Sequence, residues 1–310
     1  MLSRLAPSPT GYLHLGNARS FLLAWLQARS AGGRIVLRIE DLDQARAVSG
    51  ADQDIVEDLT WLGLDWDNEV TSEYYQSNRF DLYRDALQEL ESRGLLYPCY
   101  CSRKELAEAM SAPHHPSGRY PGTCRDLTEE ERQARGTEKD PALRFRVDPG
   151  SIVEFTDLIQ GTYSSDLYRE SGDFIVARAD GVPGYQLAVV LDDIAMGITH
   201  VLRGDDLLDS TPRQILLYHT LGAPPPLYTH VPLILGPDGK RLAKRHGSVS
   251  IAEIREAGRR PEEVIGWLVE SCGLRPDRSP VRPEELIEDF DLNRIKREET
   301  RLSSLDIFSP

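Results

Sequence analysis

At 310 residues, with 40% hydrophobic and 28% charged positions, the chain has the make-up of a folded protein with room for two or three packed modules. Its 36 lysines and arginines against 50 aspartates and glutamates give a net charge of −14, which excludes a non-specific nucleic-acid coat but leaves room for an RNA contact through local basic patches. No apolar run nears the roughly 20 residues of a membrane span, and no basic-then-apolar start reads as a signal peptide, so a cytoplasmic monomer with no membrane partner is expected.

The stretch from Arg4 to Arg19 sets the rest in order. A short apolar start (Met1, Leu2, Leu5) predicts a strand, the prolines at 7 and 9 a stiff loop, and the run from Phe21 to Leu26 a helix opening at Gly16. A helix N-terminus offers unpaired N–H groups and a positive dipole end to an anion. Gly16 would admit a nucleotide close to the backbone, and His14 stands where its ring could reach a phosphate. Arg34–Ile39 reads as a buried strand ending in acidic residues, where Glu40 could meet a substrate ammonium at the carboxyl end of a parallel strand. Helices follow at Ile55–Leu62, closed by Gly63, and from Arg79 to Gly94, completing one half of an α/β fold.

Residues 95–101 lead into Cys99-x-Cys101, a capping box at Ser102 and Glu105 and a short helix, then a Pro/Gly/His-rich loop and Tyr120-x-x-x-Cys124. Three clustered thiols predict a zinc site that needs a fourth ligand, for which His114, His115 and Tyr120 are at hand. Cys272 reads as a core thiol. Alternation over Leu143, Phe145 and Val147, then Ile152 to Phe155 and Phe174 to Val176, predicts antiparallel strands of an inserted module. The parallel sheet is expected to resume near Gly184, with the run Tyr185–Val190 leading to Asp192 and Asp193. Thr199–Leu202 then reads as a strand ending at Arg203, Thr211 as the cap of the next helix with Pro212 at its first position, and Val231–Leu235 as the last strand. The loop from 236 to 247 is glycine-bounded and basic (Lys240, Arg241, Lys244, Arg245, His246), and the tail from 248 to 310 reads as helical, with a capping box at Ser250 and Glu253.

His14-Leu15-Gly16-Asn17 within the stretch from Arg4 resembles the first signature of class I aminoacyl-tRNA synthetases, in the form of the glutamyl/glutaminyl branch. Arg241-Leu242-Ala243-Lys244-Arg245 resembles their second signature, with Ala243 in place of the usual serine and Arg241 where lysine is common. The Cys-x-Cys…Tyr-x-x-x-Cys pattern is similar to that of short glutamyl-synthetase-like members, in which the tyrosine completes the zinc site.

The resemblance implies a Rossmann-type α/β catalytic domain whose halves span 1–96 and 183–247, an inserted zinc-binding module over 97–182 and a helical stem-contact region over 248–310. It implies ATP at His14, Gly16, Asn17 and Lys244, with Mg²⁺, and catalysis by His14 and Lys244. L-glutamate would lie at Arg4, Ala6, Ser8, Glu40, Tyr185 and Arg203, and zinc at Cys99, Cys101, Tyr120 and Cys124. An arginine facing the side-chain carboxylate would select glutamate over glutamine, although Arg203 also reads as an ion pair with Asp205 or Asp206. The chain ends after the stem-contact region, so the expected acceptor is queuosine in the anticodon of tRNA(Asp) and not a tRNA 3′ end. The other readings are a glutamyl-tRNA synthetase without its anticodon domain, and a catalytically silent paralogue that binds glutamate or ATP.

Overall fold

The computed structural model of the chain describes residues 1–110, 119–240, 242 and 250–302. The expected ligands His114 and His115, and Lys244 with its neighbours Arg241 and Ala243, lie outside the described residues.

Two parallel ladders form the centre. In the first, β1 (Leu2–Leu5) pairs with β2 (Arg34–Leu37), Leu2 opposite Arg34 and Leu5 opposite Leu37. They are joined by α1 (Leu15–Ser30), in which Leu15, Ala18, Leu22, Leu23, Trp25 and Leu26 are all buried. A helix apolar around most of its circumference must be covered on more than one side. Here α1 lies across β1, β2 and the later strand β8 (His200–Gly204), with α10 (Pro261–Ser271) on another flank. In the second ladder β8 runs parallel to β9 (Leu227–Val231), joined by α8 (Thr211–Thr220). The ladders meet where the Thr199 N–H donates to the Leu2 carbonyl at 2.9 Å. Across both, the order is β2-β1-β8-β9, so the crossovers leave in opposite directions from the β1/β8 boundary. That is a topological switch point, with a crevice outside the carboxyl ends of the strands.

Helices α2 (Ala51–Trp61) and α3 (Phe80–Ser92) follow β2. The inserted module is an antiparallel sheet of β3 (Leu96–Cys99), β4 (Ala142–Phe145) and β7 (Phe174–Ala177), ordered β3-β4-β7, with a hairpin of β5 (Ile152–Asp157) and β6 (Gly161–Asp166) between β4 and β7. Short helices α4 (Arg103–Met110), α5 (Glu129–Gly136) and α6 (Leu167–Glu170) fill the connections. The expected box at Ser102 is formed: Glu105 N–H donates to the serine hydroxyl and Ser102 N–H to the Glu105 carboxylate.

Four expectations are corrected. The run from Tyr185 is not a strand but the start of α7 (Tyr185–Ala195). Short apolar runs do not distinguish a buried strand from a buried helix, and Gly184 makes the difference here. Its N–H bonds the Val176 carbonyl at 2.7 Å, and a Cβ would sit 2.9 Å from the Ile175 carbonyl oxygen, so only glycine lets this helix begin against β7. Ser210, not Thr211, precedes α8, and Pro212 follows Thr211 within the first turn. The strand expected at 231–235 is divided: β9 ends at Val231 and β10 is Ile234–Leu235, with Pro232, which lacks a ladder donor, between them. Among its described residues the tail is α-helical only through α9 (Ile251–Glu256) and α10. Beyond Gly273, prolines at 276, 280 and 283 limit it to single turns, and β11 (Thr300–Arg301) pairs with β10. The buried Arg19 of α1 secures that return, donating to Thr300 Oγ1 at 2.8 Å and to the Pro232 carbonyl.

Candidate active site

A cleft of about 1370 Å³ opens at the switch point, larger than the roughly 300–1,000 Å³ typical of a single small-molecule pocket. Arg4, Ala6, Ser8, His14, Gly16, Asn17, Glu40, Tyr185 and Arg203 all line it. They come from β1 and the loop after it, the first turn of α1, the segment after β2, the first residue of α7 and the carboxyl end of β8.

His14 is the N-cap of α1, which opens at Leu15. Its Nδ1 accepts the Asn17 N–H at 3.4 Å, so in the neutral ring Nε2 carries the proton and is a donor for an anion. A Cβ on Gly16 would lie 3.3 Å from that ring, so this glycine makes room for His14 as well as for a ligand. The Ile251 N–H donates to the Leu13 carbonyl at 2.8 Å, and His14 bridges Ser250. The first motif is thus tied, backbone to backbone, to the start of α9, immediately after the basic loop.

Glu40 is placed by main-chain pairing that extends the first ladder: Arg38 N–H bonds the Leu5 carbonyl at 2.9 Å and Glu40 N–H the Pro7 carbonyl at 2.8 Å. The Glu40 carboxylate accepts from Arg38 Nη2 at 2.9 Å. Arg38 is wholly buried, and its Nη1 donates to Asp193 of α7 at 2.6 Å, with Asp192 3.8 Å from Nε. Asp193 also pairs with Arg4, 3.3 Å from Nε. One buried chain of charges, Glu40–Arg38–Asp193–Arg4, therefore links the anionic and cationic sides of the cleft. Burial raises the Glu40 carboxyl above its ordinary range, and Arg38 and Arg4 hold it back. The Arg38 charge is opposed by burial, yet Asp193, Glu40 and Asp192 together raise its pKa.

Arg203 is 6% exposed and has no ion-pair partner among the described residues, so the reading as a pair with Asp205 or Asp206 is replaced by neutral partners. Its Nη2 donates to Thr211 Oγ1 at 2.9 Å and Gln214 Oε1 at 2.8 Å, and its Nε to His230 Nε2 at 3.0 Å. The buried Nη1 has no hydrogen-bond partner among the described residues. A buried cation held only by neutral groups is costly unless an anion joins it, which is what a carboxylate ligand in this cleft would supply.

At the other end of the cleft wall, the Sγ atoms of Cys99, Cys101 and Cys124 lie within 4.8 Å of one another, an arrangement that could hold a metal ion. The Cys101–Cys124 separation is 3.6 Å, and Tyr120 Oη stands 3.4 Å from Cys99 and 3.7 Å from Cys101. Zinc–sulfur bonds of about 2.3 Å in a tetrahedron put sulfurs about 3.8 Å apart, close to the Cys101–Cys124 separation, so the three thiols could hold one ion. The neighbouring Cys124 thiol pulls Cys99 down to about 4, aided by Tyr120 and by Arg144, whose Nε lies 3.2 Å from that sulfur. Arg144 also stacks over the Tyr120 ring at 3.6 Å. Cys272 lies apart, buried in the main core.

Sequence reasoning passed over Arg38, Arg144, Asp157, Gln214 and His230, and took Thr211 only for a helix cap. Arg38 had a signal, a charge between the apolar run Ile35–Leu37 and Ile39, and Thr211 and Gln214 stand three apart on one helix face.

Residues 1–306 match the family model for tRNA synthetases class I (E and Q), catalytic domain. The chain is 57% identical to a protein of Symbiobacterium thermophilum named glutamyl-Q tRNA(Asp) synthetase, over 97% of this chain and 96% of that one. It is 46% identical to glutamate–tRNA ligase 1 of Alkalilimnicola ehrlichii, covering 94% of this chain but 61% of the relative. Among solved structures, a glutamate tRNA ligase from Elizabethkingia meningosepticum, in complex with its amino acid, superposes with a TM-score of 0.84 at 30% identity, over 98% of this chain and 67% of that one. The chain belongs to the glutamate and glutamine family of class I tRNA synthetases.

Proposed function

We propose that the chain activates L-glutamate with ATP and transfers the glutamyl group to queuosine in the anticodon of tRNA(Asp). In the first step an α-carboxylate oxygen of glutamate attacks the α-phosphorus of ATP, the bond to the bridging oxygen of the β-phosphate breaks, and pyrophosphate leaves glutamyl-adenylate behind. In the second a cyclopentene-diol hydroxyl of queuosine attacks the acyl carbon, loses its proton to solvent, and AMP departs. Both reactants of the first step are anionic, so the site's work is positioning and charge stabilisation.

Glu40 takes the substrate ammonium, Arg4 and Arg203 the two carboxylates, and Ala6, Ser8 and Tyr185 complete the pocket. The ATP phosphates lie at the amino end of α1, against His14, Gly16 and Asn17, with Lys244 from the basic loop. Mg²⁺ bound with ATP neutralises phosphate charge. Zinc held by Cys99, Cys101, Cys124 and Tyr120 is structural, bracing the start of α4 against the β3–β4–β7 sheet.

The observation that carries the choice of acceptor is the 57% identity to the relative named glutamyl-Q tRNA(Asp) synthetase, against 46% to the glutamate–tRNA ligase. The buried Arg203, whose Nη1 has no hydrogen-bond partner among the described residues, supports glutamate over glutamine, whose amide would present donors to a donor. The test is incubation with ATP, labelled glutamate and tRNA(Asp) with or without queuosine, beside tRNA(Glu). Label on the queuosine-containing tRNA alone is expected. Label on tRNA(Glu) would instead make the chain a glutamate–tRNA ligase, the reading that the 46% identity favours. Failure of glutamate-dependent pyrophosphate exchange would make it a silent binder.

A further inference from the structure

The inserted hairpin meets β9 behind Arg203 through a pair of buried residues, Asp157 on the hairpin and His230 on β9. Asp157, the last residue of β5, is 1% exposed, and His230 of β9 is wholly buried. The hairpin is docked there by its backbone, with the Leu158 N–H on the Tyr228 carbonyl at 3.0 Å. Asp157 Oδ1 accepts the N–H groups of Ile159 at 3.0 Å and Gln160 at 2.8 Å. Its Oδ2 accepts the His230 N–H at 3.0 Å and lies 2.6 Å from His230 Nδ1. Burial pushes the Asp157 carboxyl up, but the bonds from His230 and the Gln160 and Ile159 backbone outweigh it and the net shift is down. A carboxylate facing Nδ1 fixes the proton on that nitrogen and leaves Nε2 as an acceptor. Nε2 is the atom that receives Arg203 Nε–H, at 3.0 Å, while the guanidinium rests over the Tyr228 ring at 5.2 Å.

We propose that Asp157 and His230 are positioning residues for glutamate binding: they fix one edge of the Arg203 guanidinium, so that Nη1 is the donor left for the substrate carboxylate. Thr211 and Gln214 hold Nη2, and His230 holds Nε. Asp157 acts one step further back, by setting which ring nitrogen of His230 carries the proton. The hairpin thereby controls the cation that reads the substrate, although it contributes no atom to the pocket itself. This rests on the assignment of Arg203 to a glutamate carboxylate.

Three variants separate positioning from mere packing. His230→Asn keeps a donor near the place of Nδ1 but nothing near Nε2. His230→Gln restores an amide oxygen near Nε2. Asp157→Asn turns an amide donor toward Nδ1, which reverses the tautomer and sets a donor against Arg203 Nε–H. In glutamate-dependent pyrophosphate exchange, His230→Asn and Asp157→Asn should each raise the glutamate KM about 10- to 150-fold, the factor carried by one hydrogen bond to a charged group. The KM for ATP should stay within about twofold, and His230→Gln should recover most of the loss. Equal rises in both KM values, no rise in either, or no recovery in His230→Gln would overturn the proposal. Arg203→Ala run alongside identifies the failure. If it abolishes glutamate use while His230→Asn and Asp157→Asn bind normally, the pocket assignment stands and the positioning role falls. If Arg203→Ala itself binds glutamate normally, both fall.

Discussion

Replacing Arg38 by methionine removes a group that touches both Glu40 and Asp193 while keeping most of the buried volume. The wild-type guanidinium is 0% exposed, 2.6 Å from Asp193 and 2.9 Å from Glu40, with Asp192 at 3.8 Å. Removing one partner of a buried ion pair costs about 3–5 kcal/mol, because the carboxylates left behind stay desolvated. With an unfolding entropy of about 2.1 cal/mol/K per residue over 310 residues, that cost lowers the Tm by about 5–8 °C. A second effect falls on binding. Burial already raises the Glu40 carboxyl and Arg38 is the main group holding it back, so in Arg38→Met it rises further and less of it is ionised at neutral pH. The glutamate KM should therefore increase, most at low pH, and recover as the pH rises through the new pKa. Scanning calorimetry and glutamate-dependent pyrophosphate exchange between about pH 6 and 8.5 read the two effects separately. Arg38→Lys should fall between wild type and Arg38→Met, since a single ammonium cannot span both carboxylates as the fork does. A Tm within about 1 °C of wild type and a glutamate KM with unchanged pH dependence would refute the reasoning.

Arg203→Ala should lower kcat/KM for glutamate by roughly 30- to 5,000-fold, equivalent to about 2–5 kcal/mol, while ATP binding survives; near-normal pyrophosphate exchange would remove Arg203 from the pocket. Purified protein should carry one zinc per chain by elemental analysis, and Cys101→Ser should lose it and unfold the β3–β4–β7 module more readily. Tyr120→Phe should weaken zinc retention against a chelator while His114→Ala and His115→Ala should not; the reverse pattern would transfer the fourth position to a histidine. Asp58 of α2 is 0% exposed, with neither carboxylate oxygen hydrogen-bonded among the described residues and Arg255 Nη1 3.6 Å away, and burial raises its pKa from 3.8 to about 6. Its folded form holds a proton between those values that the unfolded form does not, so stability falls by about 2 kcal/mol as the pH rises from 4 to 6. Denaturant titrations of Asp58→Asn should lack that slope, and an unchanged slope would assign it elsewhere.

What the sequence made legible is what is local. The residues from Arg4 to Asn17 combine loop, cap and helix start in one continuous stretch, and the structure brings Arg4, Ala6, Ser8, His14, Gly16 and Asn17 to one cleft with Glu40. Cys99, Cys101 and Cys124 were near enough in the chain to suggest a common site, whereas Tyr120 was implied by the family resemblance alone. The Tyr185 run was misread because its periodicity is uniform; the feature that makes it a helix is the close approach of Gly184 to β7, which is tertiary. The chain of charges through Arg38 depends on α7 presenting Asp193 to the residue just after β2, 155 positions earlier. Asp157 and His230 are 73 residues apart, and neither stands in a pattern that announces the other. Buried polar contacts of this kind follow from topology, so they become readable only once the strand order is known.

The central claim is the choice of acceptor, and the most direct measurement is glutamylation of tRNA(Asp) lacking its terminal adenosine. That substrate has lost the 3′ ribose that ordinary synthetases acylate and retains queuosine in the anticodon. The account predicts that [¹⁴C]glutamate is transferred to it as well as to intact tRNA(Asp), and that transfer vanishes when guanosine replaces queuosine. Transfer that is lost with the adenosine and indifferent to queuosine would contradict the account.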